Sequence, residues 1–359
     1  MKETLLFKKV YGCMLGGAIG DALGGPVEGH PWTPEKIRES YGLVDRYVPY
    51  QREPGYHAHF SKRLGAYTDD TRMKHLLCQA IIAAGGMPRP GDLGHVLAKA
   101  YHHAPDDLHE GLVEEYYLKA IWGRDKVIFS GEPTNGAIMS NSPLGFMAAC
   151  RPDEAYQAAF DLAFLTDGYA KTAAAMLVAA IAEAMRPQPT VERVIAAASE
   201  THLAFAARRE GPRWHKLEWR YDPNLKFLGQ AVELARQEKD VFALQKRLYE
   251  TLEWGHLFSE ATHTLCVALA MFVAAEGDFR QTVIGCVMYG RDNDSYASVA
   301  GALAGAFHGV EAIPAEWIEP VITANPETDM HDLSLKMAAL VAQNHQRVRA
   351  AWEAVEALF

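Results

Sequence analysis

The sequence predicts an all-α fold. Alanine-rich segments with apolar residues at three- and four-residue spacing recur along almost the whole chain, and alternating β-branched runs with hairpin dipeptides are nearly absent. Hydrophobic residues make up 49% of the 359 positions and charged residues 22%, enough apolar material for a sizeable core and too much for a disordered chain. The pattern gives about a dozen or more helices. No internal repeat of fixed period is evident, and one domain over residues 1–359 is expected.

Taken in order, the segment YGCMLGGAIGDALGGPVEG sets Gly12, Gly16, Gly20 and Gly24 at strict four-residue spacing, one face of a helix. Four glycines cost a helix roughly 0.8–1 kcal/mol each relative to alanine, so close packing must offset them. Residues 42–67, with Pro49, Pro54, Gly55 and Gly65, read as an irregular loop rich in aromatic and basic side chains. Helical patterns follow at 70–85, 154–165, 169–186 and 191–209. A second irregular segment, 210–224, carries Trp214, His215, Trp219, Arg220 and Tyr221. The helical period resumes at 258–277, at 294–309 and in a tail from 332 to 359. Ala297, Gly301, Gly305 and Gly309 form a second ridge. The two ridged helices are expected to pack directly on each other, with Gly16 or Gly20 facing Gly301 or Gly305. On that packing Gly305→Leu is disruptive and Gly305→Ala mild. A phosphate-cradling loop is excluded, because there is no G-x-G-x-x-G and no G-K-[ST].

A formal charge of −10 repels phosphate backbones, so no nucleic-acid partner is expected. The five cysteines are odd in number and form no C-x-x-C pair, which fits free thiols in a reducing compartment. The first residues lack the apolar run of a signal peptide, and no 18-residue stretch reads as a membrane span, so a cytoplasmic protein is expected.

Chemistry concentrates in two acidic clusters, Thr68-Asp69-Asp70-Thr71 and Asp292-Asn293-Asp294-Ser295, each opening a helix. Capping explains either one alone, with Thr68 and Asp292 or Asp294 accepting orphan backbone N–H groups. Together they offer four carboxylates and two hydroxyls, which repel one another unless a cation neutralises them. An all-oxygen set suits magnesium, manganese or calcium rather than zinc or copper. An EF-hand is excluded, since Ala297 stands where that loop needs glycine. The fifteen histidines show no H-E-x-x-H and no cysteine partners.

These signatures, in this order, resemble the ADP-ribosylglycohydrolase family, which includes the crystallin J1 proteins and the glycohydrolase that reactivates dinitrogenase reductase. The resemblance spans about residues 8–310, with 311–359 as a helical C-terminal extension. It implies a compact orthogonal bundle of helices with a binuclear metal cleft, holding two Mg²⁺ (Mn²⁺ as the alternative). The implied activity is hydrolysis of the bond at the anomeric carbon of an ADP-ribosyl group, on a protein side chain or a small acceptor. Carried over, Thr68, Asp69, Asp70, Asp292, Asp294 and Ser295 are the metal ligands, with serine at 295 where most members have threonine. Glu28 matches the glutamate placed against the scissile bond, as a base or a positioning group. Asp21 is given a supporting or capping role. Asn135, Gly136, Arg291, Tyr56 and His57 are substrate-binding candidates.

Three stretches depart from the family pattern: Gly290-Arg291-Asp292 for G-G-D, Thr134 to Ser140 for G-N-G-x-x-M-R, and Leu165-Thr166-Asp167 for L-T-H. The metal set is kept while the surrounding shell has drifted. In loop 47–67, Tyr47, Tyr50, Arg52, Tyr56, His57, His59, Phe60, Lys62, Arg63 and Tyr67 either stack a base and pair with a diphosphate or simply anchor the loop. Two other functions stay open: hydrolysis of a smaller N-riboside at the same metals, and a non-catalytic ADP-ribose-binding or crystallin J1-like structural role.

Overall fold

The computed structural model describes residues 4–29, 32–50, 63–103, 133–208, 222–251 and 258–359. Among these residues every regular element is helical. Extended pairing is confined to two isolated bridges, Gly29 with Arg291 and Thr134 with Glu260.

At the centre lies α1 (Leu5–Gly24), started by Thr4, whose hydroxyl accepts from the Phe7 N–H. It is apolar apart from Lys8, Lys9 and Asp21 and is buried from Phe7 onward except at Lys8 and Tyr11, as a helix with no continuous polar face must be. Its main partner is α14 (Asn293–His308), which runs antiparallel to it. The two ridges do meet, in a fixed register: Gly12 against Gly305, Gly16 against Gly301, Gly20 against Ala297 and Gly24 against Asp294. A Cβ built on Gly12 would stand 2.5 Å from the Gly305 carbonyl oxygen, and one on Gly24 would stand 2.7 Å from the Asp294 nitrogen. Two details of the expected packing are corrected. Gly16 faces Gly301 as expected, but Gly305 meets Gly12, and a Cβ on Gly305 would overlap the Gly12 carbonyl, so alanine is not a mild change there. Gly309 does not extend the ridge; it ends α14 at φ +90°.

Two further helices, α8 (Ala170–Ala184) and α12 (Ala261–Ala274), are buried almost all round. Around these central elements, α7 (Pro152–Leu162) and α9 (Val191–Arg208) pack on α8. Similarly α10 (Asn224–Gln237) covers α12, and α13 (Phe279–Val287) lies along α14. Lys9 ties the centre together. Its buried ammonium donates to the carbonyls of Ala184 at 2.8 Å, Ala306 at 2.8 Å and Phe307 at 2.6 Å, near the C-terminal ends of α8 and α14. Those ends leave carbonyls without intrahelical partners and carry negative dipole charge, so a cation suits them.

The C-terminal stretch contributes α15 (Ala315–Ala324) and α16 (Met330–Glu356), the latter packed on α1 and exposed from residue 345 onward. Trp317 of α15 is buried and holds the start of the first irregular segment. Its indole N–H donates to the Asp45 carbonyl at 2.8 Å, and the Tyr47 hydroxyl donates to its own carbonyl at 2.7 Å. For Tyr47, and for the buried Tyr67, anchoring is the role the structure shows. Arg52, Tyr56, His57, His59, Phe60 and Lys62 lie outside the described residues, as do Trp214, His215, Trp219, Arg220 and Tyr221. All five cysteines are free, and none of the described helices is long and apolar enough to cross a membrane.

Candidate metal centre

The α1–α14 crossing brings the two acidic clusters together. Because Gly24 packs on Asp294, the last turn of α1 meets the first turn of α14, and α3 (Asp69–Ala84) starts beside both. Asp21, fully buried in α1, fixes that start. Its Oδ1 accepts from the Thr68 N–H at 2.8 Å, and its Oδ2 accepts from the Thr71 N–H at 3.0 Å and the Thr71 hydroxyl at 2.5 Å. Asp21 therefore caps α3 from another helix, and Thr68 caps it locally by accepting from the Asp70 N–H at 3.4 Å.

Across the gap the two clusters exchange hydroxyls. Thr68 donates to Asp294 Oδ2 at 3.3 Å, and Ser295 donates to Asp70 Oδ2 at 3.1 Å. Asp292 occupies the cap position of α14, yet its carboxylate makes no capping bond. It accepts instead from the Asn135 side-chain amide at 2.6 Å. Asn135 also donates to Thr264 Oγ1 at 3.2 Å, and it immediately precedes a short helix, α5 (Gly136–Ser140), that buries Gly136 beside it.

Glu28 joins from the opposite side. The turn after α1 contains Pro26, and Gly29 follows at φ +97° with its N–H bonded to the Arg291 carbonyl at 2.7 Å. That bond ties the residue after Glu28 to the residue before Asp292. Ligand-capable oxygens of Glu28, Asp292 and Asp294 consequently lie within 4.8 Å of one another, with Glu28 half-buried and both aspartates buried. Asp69 sits half-exposed at the mouth beside the buried Asp70. Arg291 itself sits at φ +62°, a left-handed conformation that favours glycine, and Gly290 precedes it at φ +83°. Its guanidinium bears on the buried phenols of Tyr289 and Tyr296 and on half-buried Tyr249.

Electrostatics sets the chemistry. Burial raises the carboxyls of Asp70 and Asp294 well above the usual carboxylate range, and their acidic neighbours push in the same direction. Asp292 is raised to about 8, first by burial and then by Glu28. Without a cation, these groups cannot all ionise at neutral pH. Asp70 Oδ1 and Asp294 Oδ1 are buried with no hydrogen-bond partner among the described residues, an arrangement that costs stability unless an ion or solvent meets them. Hard oxygen donors of this kind fit a divalent cation such as magnesium or manganese.

Of the residues expected to matter, Glu28, Thr68, Asp70, Asn135, Asp292, Asp294 and Ser295 converge, with Asp69 and Gly136 adjacent. Tyr56 and His57 fall outside the described residues. Sequence reasoning did not single out Lys74, which is buried behind the cluster with its ammonium on the Ser298 hydroxyl. A lysine four residues after Asp70, on the same helix face, was the available signal.

Comparison with known proteins shows the family and the fold. A protein described as "Uncharacterized protein YegU" from Escherichia coli (strain K12) is 24% identical, over 95% of this chain and 98% of its own. The "ADP-ribosylhydrolase ARH3" of Homo sapiens is 23% identical, over 85% of this chain and 87% of its own. The "ADP-ribosyl-[dinitrogen reductase] glycohydrolase" of Rhodospirillum rubrum is 23% identical, over 86% of this chain and 89% of its own. A solved structure titled "ADP-ribosylglycohydrolase-related protein complex" shares the fold, with a TM-score of 0.63 at 23% identity, covering 95% of this chain and all of that one. The ADP-ribosylglycohydrolase family profile matches residues 2–348, and the chain belongs to that family of hydrolases.

Proposed function

We propose that the protein is a cytoplasmic, metal-dependent hydrolase that cleaves the glycosidic bond at the anomeric carbon of an ADP-ribosyl group, on a protein side chain or a small acceptor. The observation that carries this reading is the meeting of Glu28, Asp292 and Asp294 within 4.8 Å, beside buried oxygens of Asp70 and Asp294 that have no hydrogen-bond partner among the described residues. Thr68, Asp69, Asp70, Asp292, Asp294 and Ser295 are the residues that would hold two Mg²⁺, or Mn²⁺ in their place. Ions bound there would polarise ribose hydroxyls and lower the pKa of a water. The protein's own groups do the rest. Asn135 holds Asp292 by one carboxylate oxygen. The reciprocal hydroxyl bonds of Thr68 and Ser295 keep the two acid sets in register. Glu28 is half-exposed beside the buried Asp292 and Asp294, and on this reading it would meet the bound ribose. Its carboxylate would either accept the attacking water's proton or position the substrate, and would stabilise oxocarbenium character at the anomeric carbon.

The test is a panel of ADP-ribosylated peptides, ADP-ribosylated small acceptors and simple N-ribosides, assayed by mass spectrometry with magnesium and with chelator. Release of ADP-ribose only when magnesium is present is the expected result. Turnover of ribosides alone would replace the substrate class, and no turnover with any divalent cation would remove the enzymatic reading.

A further inference from the structure

We propose that Lys74 is a built-in counter-charge of the cation site, holding the acid layer together when no ion is bound and opposing the ion when one is. The assignment rests on the metal-centre reading above and concerns a positioning residue that does not touch substrate.

Three helices converge on the acid layer, and each repeats the convergence four residues deeper. Asp21 lies on α1, Asp70 on α3 and Asp294 on α14; one turn further into the protein come Gly17, Lys74 and Ser298 on the same faces. The deeper three meet one another. The Lys74 ammonium bonds the Ser298 hydroxyl, and a Cβ on Gly17 would stand 3.2 Å from that ammonium and 3.3 Å from the Ser298 carbonyl. Lys74 is 1% exposed and Ser298 is fully buried. A charge in such a place is expensive unless opposite charge lies near. Ser298 is neutral, so the balance comes from the acid layer one turn away, a rise of about 5.4 Å. Consistent with this, the lysine's charge interacts with both Asp21 and Asp70.

Two consequences follow with opposite signs. A fixed cation behind the layer relieves repulsion among Asp21, Asp70, Asp292 and Asp294, so the cation-free fold gains. The same charge repels an incoming divalent ion, so affinity falls. A lysine that only filled space or held Ser298 would do neither of these through its charge.

The experiment measures Mg²⁺ and Mn²⁺ binding by calorimetry, and melting with and without chelator, for wild type, Lys74→Met, Lys74→Gln and Ser298→Ala. Glutamine keeps a donor for Ser298 and removes the charge. Both lysine variants are expected to bind the ions about tenfold more tightly than wild type. Their chelated forms should melt lower, so that the gap between loaded and chelated melting temperatures widens. Ser298→Ala keeps the charge and should stay within about twofold of wild-type affinity. Wild-type binding with equal or weaker affinity in both lysine variants overturns the assignment while leaving the metal centre standing. Lysine variants that fail to fold even with saturating ion make Lys74 purely structural and overturn it too. Wild-type protein that takes up neither ion overturns the metal-centre reading itself, and this one with it.

Discussion

Single side chains decide what the site can do, and three of them give measurable outcomes. Glu28→Gln keeps the shape and removes the charge, so kcat should fall roughly 10²- to 10⁴-fold with ligand binding retained. Asp69→Asn or Asp294→Asn should weaken cation binding and abolish turnover with the fold kept, as checked by calorimetry and circular dichroism. His75 reports on the core instead. Burial first, then Lys74 and Arg72, lower its pKa to about 3 from an ordinary 6.5. The unfolded chain therefore holds the extra proton between those values, and stability is lost as pH falls from about 6.5 toward 3. Denaturant melts at pH 7 and pH 4 should show this loss, and His75→Phe should remove about one proton's worth of it. Much of this scale was legible in the sequence. The acids could be read because each set lies within four residues at a helix start. Lys74 offered only its spacing from Asp70, because its partner Ser298 is 224 residues away and a lone lysine in a helical pattern reads as a solvated face. Arg291 was readable only as a departure from the family pattern; that it occupies a left-handed backbone position needed coordinates.

At the scale of elements, the α1–α14 crossing links packing to chemistry. Gly305→Ala adds a Cβ that overlaps the Gly12 carbonyl, and overpacking of backbone against backbone typically costs 1–3 kcal/mol. Gly305→Leu must cost more and should force the helices apart. Because Asp292 and Asp294 ride on the first turn of α14, the displacement should also weaken cation binding. Differential scanning calorimetry and ion titration on both variants would show the coupled loss, graded from alanine to leucine. A wild-type melting temperature in the leucine variant would contradict the contact. The four-residue glycine spacing made this crossing predictable, but not its register. Spacing alone leaves the two ridges free to slide by a turn, and the choice is made by Gly24 fitting against Asp294 and by Gly309 ending the helix.

For the whole molecule, the buried Lys9 ammonium joins the ends of two central helices from a third. Lys9→Met should leave the carbonyls of Ala184, Ala306 and Phe307 without this donor and lower stability by about 2–4 kcal/mol, read from chemical denaturation. The all-helical class was legible because nearly every segment carries one period, whereas the order of layers was not: α1, α8, α12 and α14 are buried on nearly every face, so no exposed stripe says which neighbour each one meets. The glycine seam has a further consequence, in time rather than space. On a ribosome adding about 5–20 residues per second, α1 emerges long before α14, and the helix that must cover its glycine face begins only at Asn293, so it waits roughly 15–50 s for its partner. During that wait a largely apolar, glycine-weakened segment lacks the helix that covers its glycine face. The seam cannot close before α14 has emerged, and the acidic cluster, split between the same two distant segments, cannot assemble before then either.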